Sequence, residues 1–228
     1  MKILVLNGSP KKEKSDTMHL TRAFLQGMQD VSAQETEILH VIEKDIRYCT
    51  GCLGCMRNGG DCVHKDDMGE ILEQIIAADV LLCSFPLYYY GMPAPLKALI
   101  DRTLPLSSLR MKKVGDHYEH EANRARAAQK YVMICGCGFP NRENNFEPAV
   151  AHFRRVFSGD STVITVSETP MLNVPEAQML TAPLLEMMRQ AGREYAQTGA
   201  VSAETMQKLH VPMMPQEAYA QMVNGLNG

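Results

Sequence analysis

Two short apolar runs, ILVLN at residues 3–7 and VLLCS at 80–84, constrain the fold more than any other feature of the chain. Neither alternates polar with apolar residues, so each is a strand buried on both faces. Such strands belong to parallel sheets covered by helices on each side. Further β-branched or aliphatic runs predict strands at Thr36–Val41, Tyr131–Cys135 and Thr162–Val166. Helical spacing predicts helices over about Met18–Met28, Asp67–Ala77, Ala94–Leu104 and Phe146–Phe157, interleaved with the strands. This order is that of an α/β doubly wound five-stranded parallel sheet. Ligands then bind beyond the carboxyl ends of the strands, which directs attention to the loops after Leu6, Ser84 and Cys135.

A longer helix fits Ala177–Thr198, with Leu180, Leu184, Met187, Met188 and Ala191 on one face, and shorter pieces follow at Ser202–Leu209 and Pro215–Val223. The chain has 228 residues, enough for one domain plus an appendage at roughly 100–200 residues per domain. Eight of the 16 methionines lie beyond residue 170. Methionine fills irregular apolar gaps, so residues 171–228 read as a helix and Met-rich tail packed on the domain or on a neighbouring subunit. A formal charge of −3 gives no bulk electrostatic reason to coat nucleic acid or an anionic membrane. No apolar run approaches the ~20 residues that cross a bilayer. The start, MKILVLNGSP, reads as a strand rather than a signal peptide. A cytoplasmic protein is expected.

The loop after the first strand, Asn7-Gly8-Ser9-Pro10-Lys11-Lys12-Glu13-Lys14-Ser15-Asp16-Thr17, leads into a helix. Gly8 allows a tight turn, Ser9, Ser15 and Thr17 offer hydroxyls, and Lys11, Lys12 and Lys14 raise the local potential. With the positive end of the helix that opens near Met18, this makes a site for a terminal phosphate. Glu13 stands where a Walker loop needs glycine, and Pro10 where a dinucleotide fingerprint does. The plainer alternative is an ordinary helix start with Thr17 as its cap.

Three stretches together, GSPKKEKSDT at 8–17, CTGCLGCMRNGGDCVHKDDM at 49–68 and FPLYYYGMPAPLKALIDR at 85–102, resemble the NAD(P)H-dependent FMN reductases and iron–sulfur flavoproteins of the flavodoxin-like fold. The resemblance spans about residues 1–170 and implies a flavodoxin-like FMN-binding domain there. It implies FMN with its phosphate on Ser9, Lys11, Ser15, Thr17 and Met18. The flavin ring would lie against Pro86, Leu87, Tyr88, Tyr89 and Gly91, where flat rings and fixed backbone amides cover an aromatic ligand. Gly136 and Gly138 would form a second wall, since glycine lets backbone approach a planar group. Cys135 and Cys137 read as buried, inert thiols.

Four of the seven cysteines lie in residues 49–62, and an odd, clustered count suits a reducing compartment. Cys49, Cys52 and Cys55 have the C-x2-C-x2-C spacing of [4Fe–4S] loops, with Cys62 as a local fourth ligand as in the iron–sulfur flavoproteins. Zinc and free or redox-pairing thiols are the alternatives. His117 and His120 lie in the polar insertion KKVGDHYEHEANR, as a lid over the flavin or as solvated side chains. No G-x-S-x-G elbow or HExxH pair is present.

The expected function is an FMN-dependent oxidoreductase taking electrons from NAD(P)H and passing them to a quinone, a nitro- or azo-aromatic, or free flavin. One alternative is an iron–sulfur flavoprotein electron carrier that exchanges electrons with ferredoxin. The other is a non-catalytic flavin-binding interaction protein that uses the tail. A homodimer or homotetramer is expected from the resemblance.

Overall fold

The computed structural model describes residues 1–122, 129–157 and 159–225. Five parallel strands form the central sheet: β1 (Lys2–Asn7), β2 (Glu35–His40), β3 (Val80–Pro86), β6 (Lys130–Gly136) and β7 (Ser161–Val166). Their spatial order is β2-β1-β3-β6-β7, the flavodoxin-like arrangement. The helices are α1 (Asp16–Val31), α2 (Gly54–Arg57), α3 (Met68–Ala77), α4 (Ala94–Asp101), α5 (Glu147–Val156), α6 (Gln178–Thr198), α7 (Ala203–Leu209) and α8 (Gln216–Gly225). None of the described helices is long and apolar enough to cross a membrane.

The unbroken apolar strands are explained by two cores, one on each face of the sheet. Leu4 and Leu6 of β1 pack with Ile71, Ile75, Leu96, Leu99 and Phe153 from α3, α4 and α5. Ile3 and Val5 point the other way, onto Leu20, Phe24 and Met28 of α1 and Met188, Ala191 and Tyr195 of α6. Burying both faces favours apolar residues along these strands, and the buried polar ones, Asn7 and Ser84, sit near the carboxyl ends, where Lys12 and Thr21 satisfy them.

Helix α6 lies along α1 at backbone contact. A Cβ on Gly27 would meet the Arg189 carbonyl oxygen at 1.8 Å, and one on Gly192 would meet the Phe24 carbonyl oxygen at 1.9 Å. Each glycine is the gap that admits the other helix, and Asp30 pins the far end through Arg189 and Arg193 at 2.6 and 3.0 Å.

Two expectations change. Helix α4 ends at Asp101 instead of continuing to Leu104, because Arg102 turns inward and Pro105 cannot extend an α-helix. The polar insertion is a hairpin, β4 (Ser107–Val114) paired antiparallel with β5 (His117–Ala122), and its last two residues, Asn123 and Arg124, lie outside the described residues. Its turn is Gly115-Asp116, with Gly115 at φ +60°, the left-handed first position of a two-residue hairpin turn. His117 stays half-exposed beside Asp116 and Glu119.

Candidate functional site

The chain reverses its winding direction at β1. It goes first to β2 on one side and then to β3 on the other, which opens a crevice at the carboxyl ends of β1 and β3. There the Gly8 amide donates to the Ser84 carbonyl at 2.8 Å, closing the root of the first loop onto the neighbouring strand. A side chain at Gly8 would meet Leu96 at 2.9 Å.

That loop is stapled along its whole length. Asn7 Nδ2 donates to the Lys12 carbonyl at 3.1 Å, and Lys12 sits in the left-handed region at φ +53°. Asn7 Nδ2 also meets His40 Nδ1 at 3.0 Å, so the hydrogen-bond network assigns the ring proton to Nε2, which faces Glu13 at 3.0 Å. Glu13 also binds Arg22, whose hydrogen bond, with His40 adding to it, holds the Glu13 carboxyl below its ordinary range against the effect of burial. Lys12 reaches Glu43 at 2.5 Å.

The loop ends at Ser15, the residue before α1, and Thr17 lies inside the helix rather than capping it. The Ser15 hydroxyl does not cap either; it pairs with the Thr17 hydroxyl at 2.9 Å, and both residues are buried. The start of α1 therefore receives no side-chain cap; the Met18 amide donates to the Ser15 carbonyl at 2.9 Å, which leaves the Asp16 and Thr17 amides for a ligand. An uncapped helix start flanked by buried hydroxyls is an anion-binding arrangement.

Three further loops meet this one. After β3, Tyr88 and Gly91 exchange backbone hydrogen bonds at 3.1 and 2.9 Å around a two-residue turn. Its central residues, Tyr89 and Tyr90, both have positive φ, +45° and +63°. Such turns favour Asn-Gly, so two tyrosines there are strained, at about 1–3 kcal/mol each, and displayed outward. Tyr90 stacks on Phe139 with centroids 6.5 Å apart, while Tyr89 is fully exposed. The Leu87 amide donates to the Gly136 carbonyl at 2.7 Å, tying this loop to the end of β6. The loops after β6 and β7 are knitted together by the Thr169 amide to the Cys137 carbonyl and the Glu168 amide to the Phe139 carbonyl, each at 3.0 Å. A Cβ on Gly136 would strike Thr169 at 2.6 Å, so glycine is needed where these two loops cross.

The resulting cleft, about 150 Å³, is lined by Ser9, Lys11, Asp16, Pro86, Leu87, Tyr88, Gly136, Cys137, Gly138, Thr169 and Pro170. An apolar shelf of about 460 Å³ adjoins it over Leu87, Tyr88, Tyr89, Tyr90 and Phe139. Of the residues expected from sequence, Ser9, Lys11, Pro86, Leu87, Tyr88, Gly136 and Gly138 line the cleft and Tyr89 the shelf. Gly91 closes the tyrosine turn. Ser15 and Thr17 flank Asp16 at the helix start, and these two and Met18 are all buried outside the lining. Asp16, Thr169 and Pro170 were not foreseen. The signal for the last two was available, since the loop after the fifth strand also leaves a carboxyl edge. Burial pushes the Cys137 thiol up to about 11 and Cys135 well above its ordinary value, so both are inert S–H groups.

The cysteine loop leaves the neighbouring strand β2 and is closed at its neck. Asp45 and Asp67 exchange hydrogen bonds, the Asp45 amide to the Asp67 carboxylate at 2.8 Å and the Asp67 amide to the Asp45 carbonyl at 3.1 Å. Beside them, fully buried Asp66 takes both Arg102 nitrogens at 2.7 and 2.9 Å, and Arg102 also donates to the Arg47 carbonyl at 2.6 Å. Burial alone would raise the Asp66 carboxyl; Arg102 and the Arg47 and Met68 amides outweigh it and hold it at about 2. Beyond the neck, Cys55 is buried, Cys62 half-buried, and Cys49 and Cys52 exposed, all as free thiols. They share a loop but are not gathered as a ligand set: among the described residues no three His, Cys, Asp or Glu side chains converge as metal ligands.

Comparison with known proteins agrees with this architecture. Two iron–sulfur flavoproteins of Archaeoglobus fulgidus are 33% and 37% identical, over 51% and 46% of this chain and 53% and 46% of theirs. The chain thus spans about half the length of the curated relatives it matches. Among solved structures, an NAD(P)H:quinone oxidoreductase from Methanothermobacter marburgensis superposes with a TM-score of 0.61 at 20% identity, covering 85% of this chain and 98% of that one. An FMN-dependent NADH-azoreductase from Bacillus anthracis, in complex with FMN, gives 0.61 at 16% identity over 87% and 99%. These two likenesses establish the shared fold. The family model described as NADPH-dependent FMN reductase matches residues 1–173, and the chain belongs to that family.

Proposed function

We propose that this chain is an FMN-dependent oxidoreductase that takes electrons from NAD(P)H and delivers them to a small planar acceptor, such as a quinone, a nitro- or azo-aromatic, or free flavin. The observation that carries the reading is the uncapped start of α1, whose Asp16 lines a cleft built from four strand-end loops, with the Ser15 and Thr17 hydroxyls paired just behind it. The residues fit FMN. The helix start, its two hydroxyls, Ser9 and Lys11 would hold the phosphate. The ring would lie against Pro86–Gly91 on one side and Gly136–Gly138 on the other. Bound FMN supplies the redox chemistry, accepting a hydride equivalent from the nicotinamide and passing electrons on.

The protein's own contribution is position and exclusion of water. The paired loops after β6 and β7 fix one wall, the strained tyrosine turn fixes the other, and the apolar shelf beside them suits a planar partner. Cys137, kept as S–H by burial, is an unreactive part of the wall. No side chain acting as acid or base is required of this site.

The shared neck of Cys49, Cys52, Cys55 and Cys62 favours a second reading, an iron–sulfur flavoprotein electron carrier working with ferredoxin. We place the protein in the cytoplasm as a homodimer or homotetramer. The fully exposed Tyr89 and half-exposed Phe139 support the assembly, being apolar surface that a second copy would cover. The deciding experiment is anaerobic purification, an ultraviolet–visible spectrum, and iron and acid-labile sulfide assays, followed by NADH and NADPH turnover with quinone and azo acceptors. Flavin bands with turnover and no iron support the oxidoreductase. Iron and sulfide with little direct turnover support the carrier. No flavin uptake after adding FMN refutes both.

A further inference from the structure

Of the described residues lining the cleft, two have ionic side chains, Lys11 and Asp16, and they face each other at 3.6 Å. The lining therefore has no net charge with which to attract a phosphate. Asp16 is also held deliberately. Its Oδ1 accepts from Asn173 Nδ2, and the Asn173 amide is fixed from two more directions: Oδ1 contacts His19 Nε2 at 3.0 Å, and Nδ2 also donates to the Lys14 carbonyl at 3.0 Å. The Asp16 side chain is 12% exposed, and that remaining surface opens on the cleft.

A carboxylate offers about four lone-pair sites, and one donor on Oδ1 with a distant ammonium on Oδ2 leaves acceptor capacity unused. Phosphate oxygens are acceptors as well, so a phosphate set against Asp16 would meet repulsion and no hydrogen bond. A polyol chain has the complementary chemistry, because its hydroxyls donate. FMN carries both groups, a terminal phosphate and a ribityl chain between it and the ring.

We propose that Asp16 is the acceptor for the ribityl hydroxyls of bound flavin, oriented for that role by Asn173, with the phosphate taken by the neighbouring backbone amides and hydroxyls of the loop rather than by the Asp16 carboxylate. The proposal rests on the FMN reading above and deepens it. Part of the binding strength then belongs to a portion of the ligand that FMN shares with riboflavin. The carboxylate also sets how far the chain slides along the cleft.

The test is the dissociation constants of FMN and of riboflavin, read from flavin fluorescence, for the unaltered protein, Asp16→Asn and Asn173→Ala. The expected result is that Asp16→Asn weakens both flavins by the same factor, about ten-fold for loss of a charge-assisted hydrogen bond, and leaves their ratio unchanged. Asn173→Ala should weaken both by a smaller common factor, because the carboxylate remains but loses its orienting donor. Tighter FMN binding with riboflavin unchanged would overturn the proposal, since Asp16 would then face the phosphate. So would unchanged affinity for both, since Asp16 would then serve only the helix start and the Lys11 pair. Should Asp16→Asn fail to fold, Asn173→Ala decides between the same outcomes. If the unaltered protein binds neither flavin, the FMN reading itself fails, which is a separate result.

Discussion

The loops that leave adjacent strands β1 and β2 are held in opposite ways. Residues 8–15 are fastened at nearly every step, by Asn7, by the Glu13 contacts to Arg22 and His40, by Lys12 to Glu43, and by Asn173 on the Lys14 carbonyl. Residues 48–65 are fastened to the rest of the fold at the neck by Asp66, Asp67 and Arg102, and beyond it mainly to themselves, by the short helix α2 and the Asn58 and Gly60 amides on the Gly54 and Cys55 carbonyls. A loop fixed along its length presents its groups already in place, so a ligand pays little to order it. A loop held to the fold mainly at its neck has its ends positioned, while its middle rests on its own short helix and turns.

The largest effect should come from the neck. Asp66→Ala leaves the buried Arg102 charge unpaired and should cost about 3–5 kcal/mol in urea unfolding. If the two loops are independent, limited proteolysis will open residues 48–65 while flavin affinity holds; joint loss would break the comparison. Next is the first loop. Replacing Ser15 and Thr17 together by Ala should lower FMN affinity by about 10- to 100-fold, with riboflavin little changed, because only the phosphate uses those hydroxyls. Melting of the flavin-free protein should barely move, since Ser15 does not cap the helix.

Acid gives a smaller effect with a definite sign. The Asp66 carboxyl is depressed from 3.8 to about 2 by folding, with its Arg102 and amide hydrogen bonds outweighing burial. Its contribution, about 2 kcal/mol, is therefore fully present above pH ~4 and is lost as pH falls toward 2. Urea midpoints measured between pH 2 and pH 6 should show this slope, and Asp66→Asn should flatten it. Smallest is Tyr89→Gly, which relieves a left-handed backbone at a fully exposed ring on the rim of the shelf. It should raise stability by about 0.5–1 kcal/mol and weaken flavin binding. Unchanged binding would remove Tyr89 from the site.

What the sequence disclosed follows from how each feature is encoded. The five strands were legible because burial on both faces forces unbroken apolar runs, as in Leu4–Leu6 and Val80–Cys83. The turn from β1 into α1 was legible because Gly8, Ser9 and the helix after Ser15 are neighbours in the chain. The β4–β5 hairpin was not, because both its strands are largely exposed and carry no alternation to read; only Gly115-Asp116 marked it. The left-handed Tyr89 and Tyr90 were hidden because that conformation is ordinarily announced by asparagine or glycine. Asp16 and Asn173 were missed for another reason. Their pairing is tertiary, 157 residues apart, and no local pattern records it.

That separation also sets an order of events during synthesis. The cleft begins at Ser9, yet its far wall is Thr169 and Pro170, and the helix that carries its anion-binding end rests on α6, which finishes at Thr198. At about 5–20 residues per second, roughly 8 to 40 seconds of translation separate the first loop from the segments that complete it. During that interval the apolar face of α1 has no partner from α6, and the nascent chain must carry Leu20, Phe24 and Met28 uncovered on that side. A cleft of this kind can take a ligand only after Thr169, Pro170 and α6 have been made and have folded back onto the first loop.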